Sequence, residues 1–160
     1  VVDLAEIART VGDLYEPVAD EKGLTLAVET DAALPVHGDR HLLSQAIANL
    51  LDNALKYTVA GKIALSAQAS GETARVEVAD SGPGIPADRR EAVFDRFVRL
   101  EGSRSTPGNG LGLSLVRAVA KLHAGACWLE DHAPGLKAVL AIPIAKGETL
   151  PRLTDGRSAA

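Results

Sequence analysis

The chain has 160 residues and a mass of 16.6 kDa, one domain's worth of protein without room for a second full-sized core. Hydrophobic residues make up 46% and charged residues 24%, which excludes a disordered, collagen-like or coiled-coil chain. A formal net charge of −4 and an aromatic content of 3% supply neither the basic stripe nor the stacking rings of a nucleic-acid groove. No run approaches the roughly 20 uncharged apolar residues that cross a bilayer, so membrane contact is not expected of this stretch. With Cys127 as the lone cysteine there is neither an internal disulfide nor a thiolate zinc cluster, and a reducing cytoplasm is the expected compartment. The chain opens at Val1 and contains no methionine; it reads as part of a longer protein, one that other segments could anchor to a membrane.

Asp3–Lys22 carries Leu4, Ile7, Ala8, Val11, Leu14, Tyr15 and Val18 at steps of three and four, predicting an amphipathic helix that stops at Gly23. Leu24–Thr30 alternates as a strand. Past Pro35, a second helix is predicted from Asp39 to Tyr57, with Asp39 as its N-cap and Gly61 marking the end of the segment. Lys62–Ala69 and Ala74–Ala79 alternate around Gly71 and read as a hairpin. Residues 81–86 are dense in turn formers, a short helix is expected around 89–94, and 101–110 reads as a polar loop. A third long helix fits Leu111–His123, followed by strands at Ala126–Glu130 and Lys137–Ile144. Residues 146–160 read as a flexible tail. The predicted fold is α+β: a two-layer sandwich with a mixed, mostly antiparallel sheet covered on one face by three helices.

Three segments carry chemistry. On the second helix, Leu43, Ile47, Leu50, Leu51 and Ala54 share one side, and Gln45, Asn49, Asp52, Asn53 and Lys56 the other. Asparagine is a poor helix former, so two of them a turn apart call for a reason. A solvated face would satisfy the pattern; so would a row of amide oxygens, hard ligands suited to Mg²⁺, with Lys56 placed to neutralise a phosphate. Asp80-Ser-Gly82-Pro-Gly84-Ile85 follows a predicted strand. Its glycines let backbone approach a ligand closely, and its carboxylate could accept a hydrogen bond from the exocyclic amine of adenine, where guanine presents an oxygen. A plain turn capped by Asp80 is the alternative. Gly108-Asn-Gly110-Leu111-Gly112-Leu113 opens the third helix, and a glycine-rich loop running into a helix N-terminus is a ready anion site. Its G-x-G-x-G spacing is neither a dinucleotide-binding fingerprint nor a P-loop.

Taken in order, these segments resemble the catalytic, ATP-binding domain of bacterial sensor histidine kinases, within the superfamily that includes gyrase, Hsp90 and MutL. Residues 50–58 (LLDNALKYT), preceded by Asn49, look like that family's asparagine box, 80–86 (DSGPGIP) its first glycine box and 108–116 (GNGLGLSLV) its second. Phe94-Asp-Arg96-Phe97-Val98-Arg99 resembles the phenylalanine box between them, with Val98 where an aromatic residue is usual. The resemblance covers Asp3 to Pro143. It implies ATP and Mg²⁺ as cofactors, with Asn53 ligating the metal, Asn49 supporting it, and Lys56 and Tyr57 on the phosphate and ribose side. It implies that Asp80 reads adenine while Gly82, Gly84 and Ile85 shape the base pocket. Gly108, Gly110 and Gly112, with Leu111 and Leu113, would cradle the nucleotide, Arg96, Arg99 and Arg104 would meet phosphate, and residues 100–109 would form a mobile lid. Asn49, Lys56 and Arg99 would be the catalytic group.

Hydrolysing members of the superfamily carry a water-activating glutamate at the position of Asn49, and an amide is no general base. The resemblance therefore implies a histidine kinase that holds ATP for an acceptor. None of His37, His41, His123 and His132 lies in a segment like the family's phospho-accepting one, so the expected partner is a separate dimerisation and histidine-phosphotransfer domain, with a response-regulator receiver domain downstream. On this reading residues 1–145 are the catalytic domain, 1–22 its first helix after that hairpin, and 146–160 a tail. Two alternatives remain open: an ATPase or serine kinase of the same superfamily, and a degenerate nucleotide-binding scaffold.

Overall fold

The computed structural model describes residues 1–58, 60–81, 112–131 and 135–146. Among the described residues there are ten elements: β1 (Val2–Asp3), α1 (Leu4–Glu21), β2 (Thr25–Thr30), β3 (Pro35–Val36), α2 (Arg40–Tyr57), β4 (Lys62–Ser70), β5 (Thr73–Asp80), α3 (Gly112–Leu122), β6 (Ala126–Asp131) and β7 (Leu136–Pro143).

Caps and turns set the helix ends. Asp3 opens α1 by accepting from the Ala5 N–H, and the same Oδ1 accepts from Leu34, so one carboxylate fixes both the helix start and the strand beside it. Asp39 opens α2 in the same way through the Leu42 N–H at 3.0 Å. Gly23 takes φ +72 just beyond α1, a left-handed value that ends the helix without the strain a side chain would bring.

Five strands form the main sheet in the order β2-β4-β5-β7-β6. The pair β2–β4 is parallel and the other three pairs are antiparallel. Among the described residues three helices pack on one face of this sheet. Leu4, Ile7, Leu43, Ile47 and Leu51 come from the helices and Ile63, Leu65, Val76, Leu140 and Ile142 from the strands, all essentially without exposure. The alternation seen in the sequence thus becomes an inward apolar row on each strand. The outward row is polar: Arg75 lies 5.2 Å from the Trp128 ring centroid, Trp128 donates to Glu130 at 2.8 Å, and Lys137 reaches Glu77 and Glu130.

A second, two-stranded sheet pairs β1 with β3 in antiparallel fashion, and Val36 also bridges Ile144 just past β7. The sequence reading has no strand at either place. Two residues are too few to display a period of two, and the pairing arises because Asp3 and the Pro35 break bring the segments together. The loops expected at 81–86 and 101–110, the short helix at 89–94 and the tail beyond residue 146 lie outside the described residues, save Ser81.

Candidate functional site

Helix α2 carries the densest part of the site. Its apolar face is buried at Leu43, Ala46, Ile47, Leu50, Leu51 and Ala54, which fixes the rotation of the helix against the sheet. That rotation leaves Asn49 and Asn53 half-buried at the border of the core, with Gln45, Asp52 and Lys56 exposed beside them. One end of the Asn53 amide, Nδ2, is buried without a hydrogen-bond partner among the described residues. The two ends of an amide exchange by a half-turn, so this position can present an oxygen to a cation or an N–H to a phosphate. A buried polar group left unpaired costs on the order of 1–3 kcal/mol, which a bound partner would recover. A neutral amide oxygen is the hard donor that Mg²⁺ accepts alongside phosphate oxygens, so the residues present fit that ion. Tyr57 closes the last turn of α2 in its backbone.

Asp80 ends β5 opposite Ile63 and is 8% exposed, one of two polar residues that are buried among those described. Its Oδ1 accepts from the Leu136 N–H at 3.3 Å, which ties the strand end to the start of β7. Gly135 makes that approach possible. A Cβ there would lie 1.9 Å from the Asp80 carbonyl oxygen, and its φ of +117 is open to glycine alone. Neighbouring Ser81 donates to the Ala60 carbonyl and accepts from the Lys62 N–H, closing the base of this corner. Thr58, just past α2, is also buried, and its hydroxyl oxygen lacks a partner among the described residues.

Helix α3 begins at Gly112 and lies against α2. At its far end His123 latches the two helices together: its Nδ1 meets the Val119 carbonyl at 2.7 Å, and its Nε2 accepts from the Asp39 N–H at 3.1 Å. The latch requires a neutral imidazole with its proton on Nδ1. The C-terminal end of α3 therefore sits at the N-terminal end of α2. Eleven residues of α3 span about 16 Å, the length of the first eleven residues of α2. Leu113 is partly buried against the core.

Asn49, Asn53, Lys56, Asp80, Gly112 and Leu113 therefore belong to neighbouring parts of the fold: the second half of α2, the end of β5 and the start of α3. The positions Gly82, Gly84, Ile85, Arg96, Arg99, Arg104, Gly108, Gly110 and Leu111 lie outside the described residues. Thr58, Gly135 and Leu136 belong to the same corner and were not singled out by sequence reasoning.

Comparison with known proteins gives the class of this sheet, which is backed by three helices among the described residues. Residues 38–146 match the family described as histidine kinase-, DNA gyrase B-, and HSP90-like ATPase. The adaptive-response sensory kinase SasA of Synechocystis sp. is 39% identical over 132 residues, covering 81% of this chain and 34% of that protein. The full-length structure of ShkA in complex with AMPPNP superposes with a TM-score of 0.80 at 33% identity, over 92% of this chain and 31% of that one. The nucleotide-free catalytic domain of the histidine kinase ThkA superposes at 0.77 and 32% identity, over 87% of this chain and 92% of that one. The chain belongs to the histidine kinase-, gyrase B- and HSP90-like ATPase family, as a domain of the histidine-kinase kind. It spans about a third of the length of the SasA relative it matches.

Proposed function

We propose that this domain binds Mg·ATP and supplies the γ-phosphate to a histidine on the dimerisation domain of a two-component sensor kinase, for relay to an aspartate on a response regulator. The observation that carries the reading is the Asn53 amide, buried with one end unpartnered among the described residues, on the same helix border as Asn49 and Lys56. Asn53 would hold the metal, Asn49 would support it, and the Lys56 ammonium and Arg99 would meet the phosphates. Bound Mg²⁺ would supply charge neutralisation at the phosphate oxygens. Asp80 would accept from the adenine amine, with Gly82, Gly84 and Ile85 around the base; the remaining site residues would keep the places named for them above. Catalysis by this chain would then consist of orienting ATP and neutralising charge, without a protein nucleophile. An amide at position 49 gives no base to activate water, which favours holding ATP over hydrolysing it.

Thermal unfolding with and without nucleotide tests the reading. Mg·ATP at about 100 times its dissociation constant stabilises the native state by about 2.7 kcal/mol, a rise of several degrees for a domain of this size. Mg·GTP should give no rise, and Asn53→Ala should abolish the response to Mg·ATP while keeping the melting point of the free protein. Transfer of labelled γ-phosphate to a separately supplied histidine-bearing hairpin then tests the kinase step. Equal shifts with ATP and GTP, or none with either, would sink the proposal.

A further inference from the structure

Helix α1 carries an apolar row that outruns its own core. Leu4, Ile7, Val11, Leu14 and Val18 follow one another at alternating steps of three and four. That is the seam into which a second helix packs its side chains. The first three are buried in the domain, whereas Leu14 is 68% and Val18 39% exposed. A lone exposed leucine would be ordinary, but here consecutive members of one row stand uncovered in the second half of the helix. Around them the surface is acidic. Asp13, Glu16 and Asp20 run down the adjoining face at steps of three and four, and Glu21 lies one turn beyond Val18. All four are exposed, and none makes an ion pair among the described residues. The nearest basic groups in sequence are engaged elsewhere: Arg9 donates to Thr30 and the Asp31 carbonyl, and Lys22 to the Leu55 carbonyl. Five acidic residues against Arg9 give α1 a net −4, as large as that of the whole chain. Pro17 adds a backbone acceptor to this face. It stands inside the helix without an N–H, so the Asp13 carbonyl lacks its partner four residues on.

We propose that the outer face of α1, centred on Leu14 and Val18, docks a basic amphipathic helix of a partner protein. The partner's apolar row covers Leu14 and Val18, and a flanking row of arginine or lysine meets Asp13, Glu16, Asp20 and Glu21. Arginine fits best, because its fork of N–H groups reaches a carboxylate and the Asp13 carbonyl together. A second copy of this chain is disfavoured, since pairing α1 with α1 sets acid against acid. An anionic membrane surface is repelled for the same reason. The face lies outside the stretch 38–146 that matches the family, and the inference does not rest on the reading of the nucleotide site.

The probe is a synthetic helical peptide of roughly 18 residues, with leucines at alternating steps of three and four and arginines on both flanks. It is titrated into the full 160-residue chain and followed by backbone amide NMR shifts. Saturable shifts confined to α1 are expected. A peptide with glutamate in place of arginine should not bind, and one with serine in place of leucine should bind about tenfold more weakly or worse. Leu14→Ser in the protein should cost about tenfold in affinity for the first peptide. The combined variant Asp13→Asn, Glu16→Gln, Asp20→Asn should weaken it comparably and remove most of its salt dependence. All these positions are exposed, so melting points should stay native; if Leu14→Ser fails to fold, Val18→Ser takes its place. Shifts centred away from α1, no saturable binding, or unchanged affinity in Leu14→Ser would overturn the inference. So would a serine peptide that binds as tightly as the leucine one, which is charge attraction without docking. Sedimentation equilibrium covers the remaining occupant: a dimer of the native chain that Leu14→Ser dissolves would assign the face to a second copy and also overturn it.

Discussion

Asp80 and Gly135 work as a pair. The carboxylate at the end of β5 keeps its place because the chain opposite approaches closely enough for the Leu136 N–H to reach it, and only a residue without a side chain permits that approach. Gly135→Ala should therefore lower stability by more than about 2 kcal/mol, through both the collision and the positive φ, and should weaken adenine nucleotide binding beyond the stability loss. Denaturant titration read beside nucleotide titration checks both. Thr58 behaves oppositely. Its buried hydroxyl oxygen has no partner among the described residues, so Thr58→Val should leave the free protein as stable or up to about 1 kcal/mol more so. Mg·ATP affinity would fall only if the nucleotide is that hydroxyl's partner. Asn49, Asn53 and Asp80 were legible in the sequence because each is an unusual residue for its element, a helix-disfavouring amide or a strand-end carboxylate before glycines. Gly135 was not, since Pro134-Gly135 reads as an ordinary turn and its closeness to Asp80 exists only once β5 and β7 have paired.

Helices and strands were legible where apolar periodicity is strong, and their observed bounds agree with the expected ones to within a residue or two. Pairing was harder to read. The parallel match of β2 to β4 leaves no mark in either strand, because alternation serves parallel and antiparallel neighbours alike. The contact between α2 and α3 likewise turns on a histidine that the sequence showed only as a residue at a helix end. His123 joins the N-cap region of α2 to the last turn of α3, and a Cβ at Gly38 would come within 2.5 Å of its ring. His123→Ala should cost about 1–2 kcal/mol by removing both hydrogen bonds. Gly38→Ala should destabilise the native chain more than it destabilises the His123→Ala background, where the ring is gone. Urea denaturation of the four proteins measures that coupling, and strict additivity would count against the latch.

At the scale of the molecule, the layering of three helices on one sheet face among the described residues followed from which residues alternate and which recur every three or four positions. The small β1–β3 sheet did not follow, because it depends on segments about 33 residues apart meeting at one corner. Tyr15 offers a global readout of α1 seated on α2. Its phenol titrates near 10 when unfolded and near 12 when folded, so its contribution to stability is fully present below pH 10 and is lost as pH rises toward 12. Tyr15→Phe should thus show a shallower fall in stability than the native chain between pH 10 and 12, with the two running in parallel below that range.

The same corner has a consequence for how such a domain can be wired into other proteins. Val2 pairs with Val36, and Val36 bridges Ile144, so the entering and leaving segments are both held by the short strand β3. A unit whose ends emerge side by side can be spliced into a host loop without prying the host apart. It can also be reopened elsewhere. A short Gly/Ser linker from residue 146 to residue 1, with new ends cut at Gly71 in the β4–β5 turn, should yield a circular permutant with the native melting point to within a few degrees.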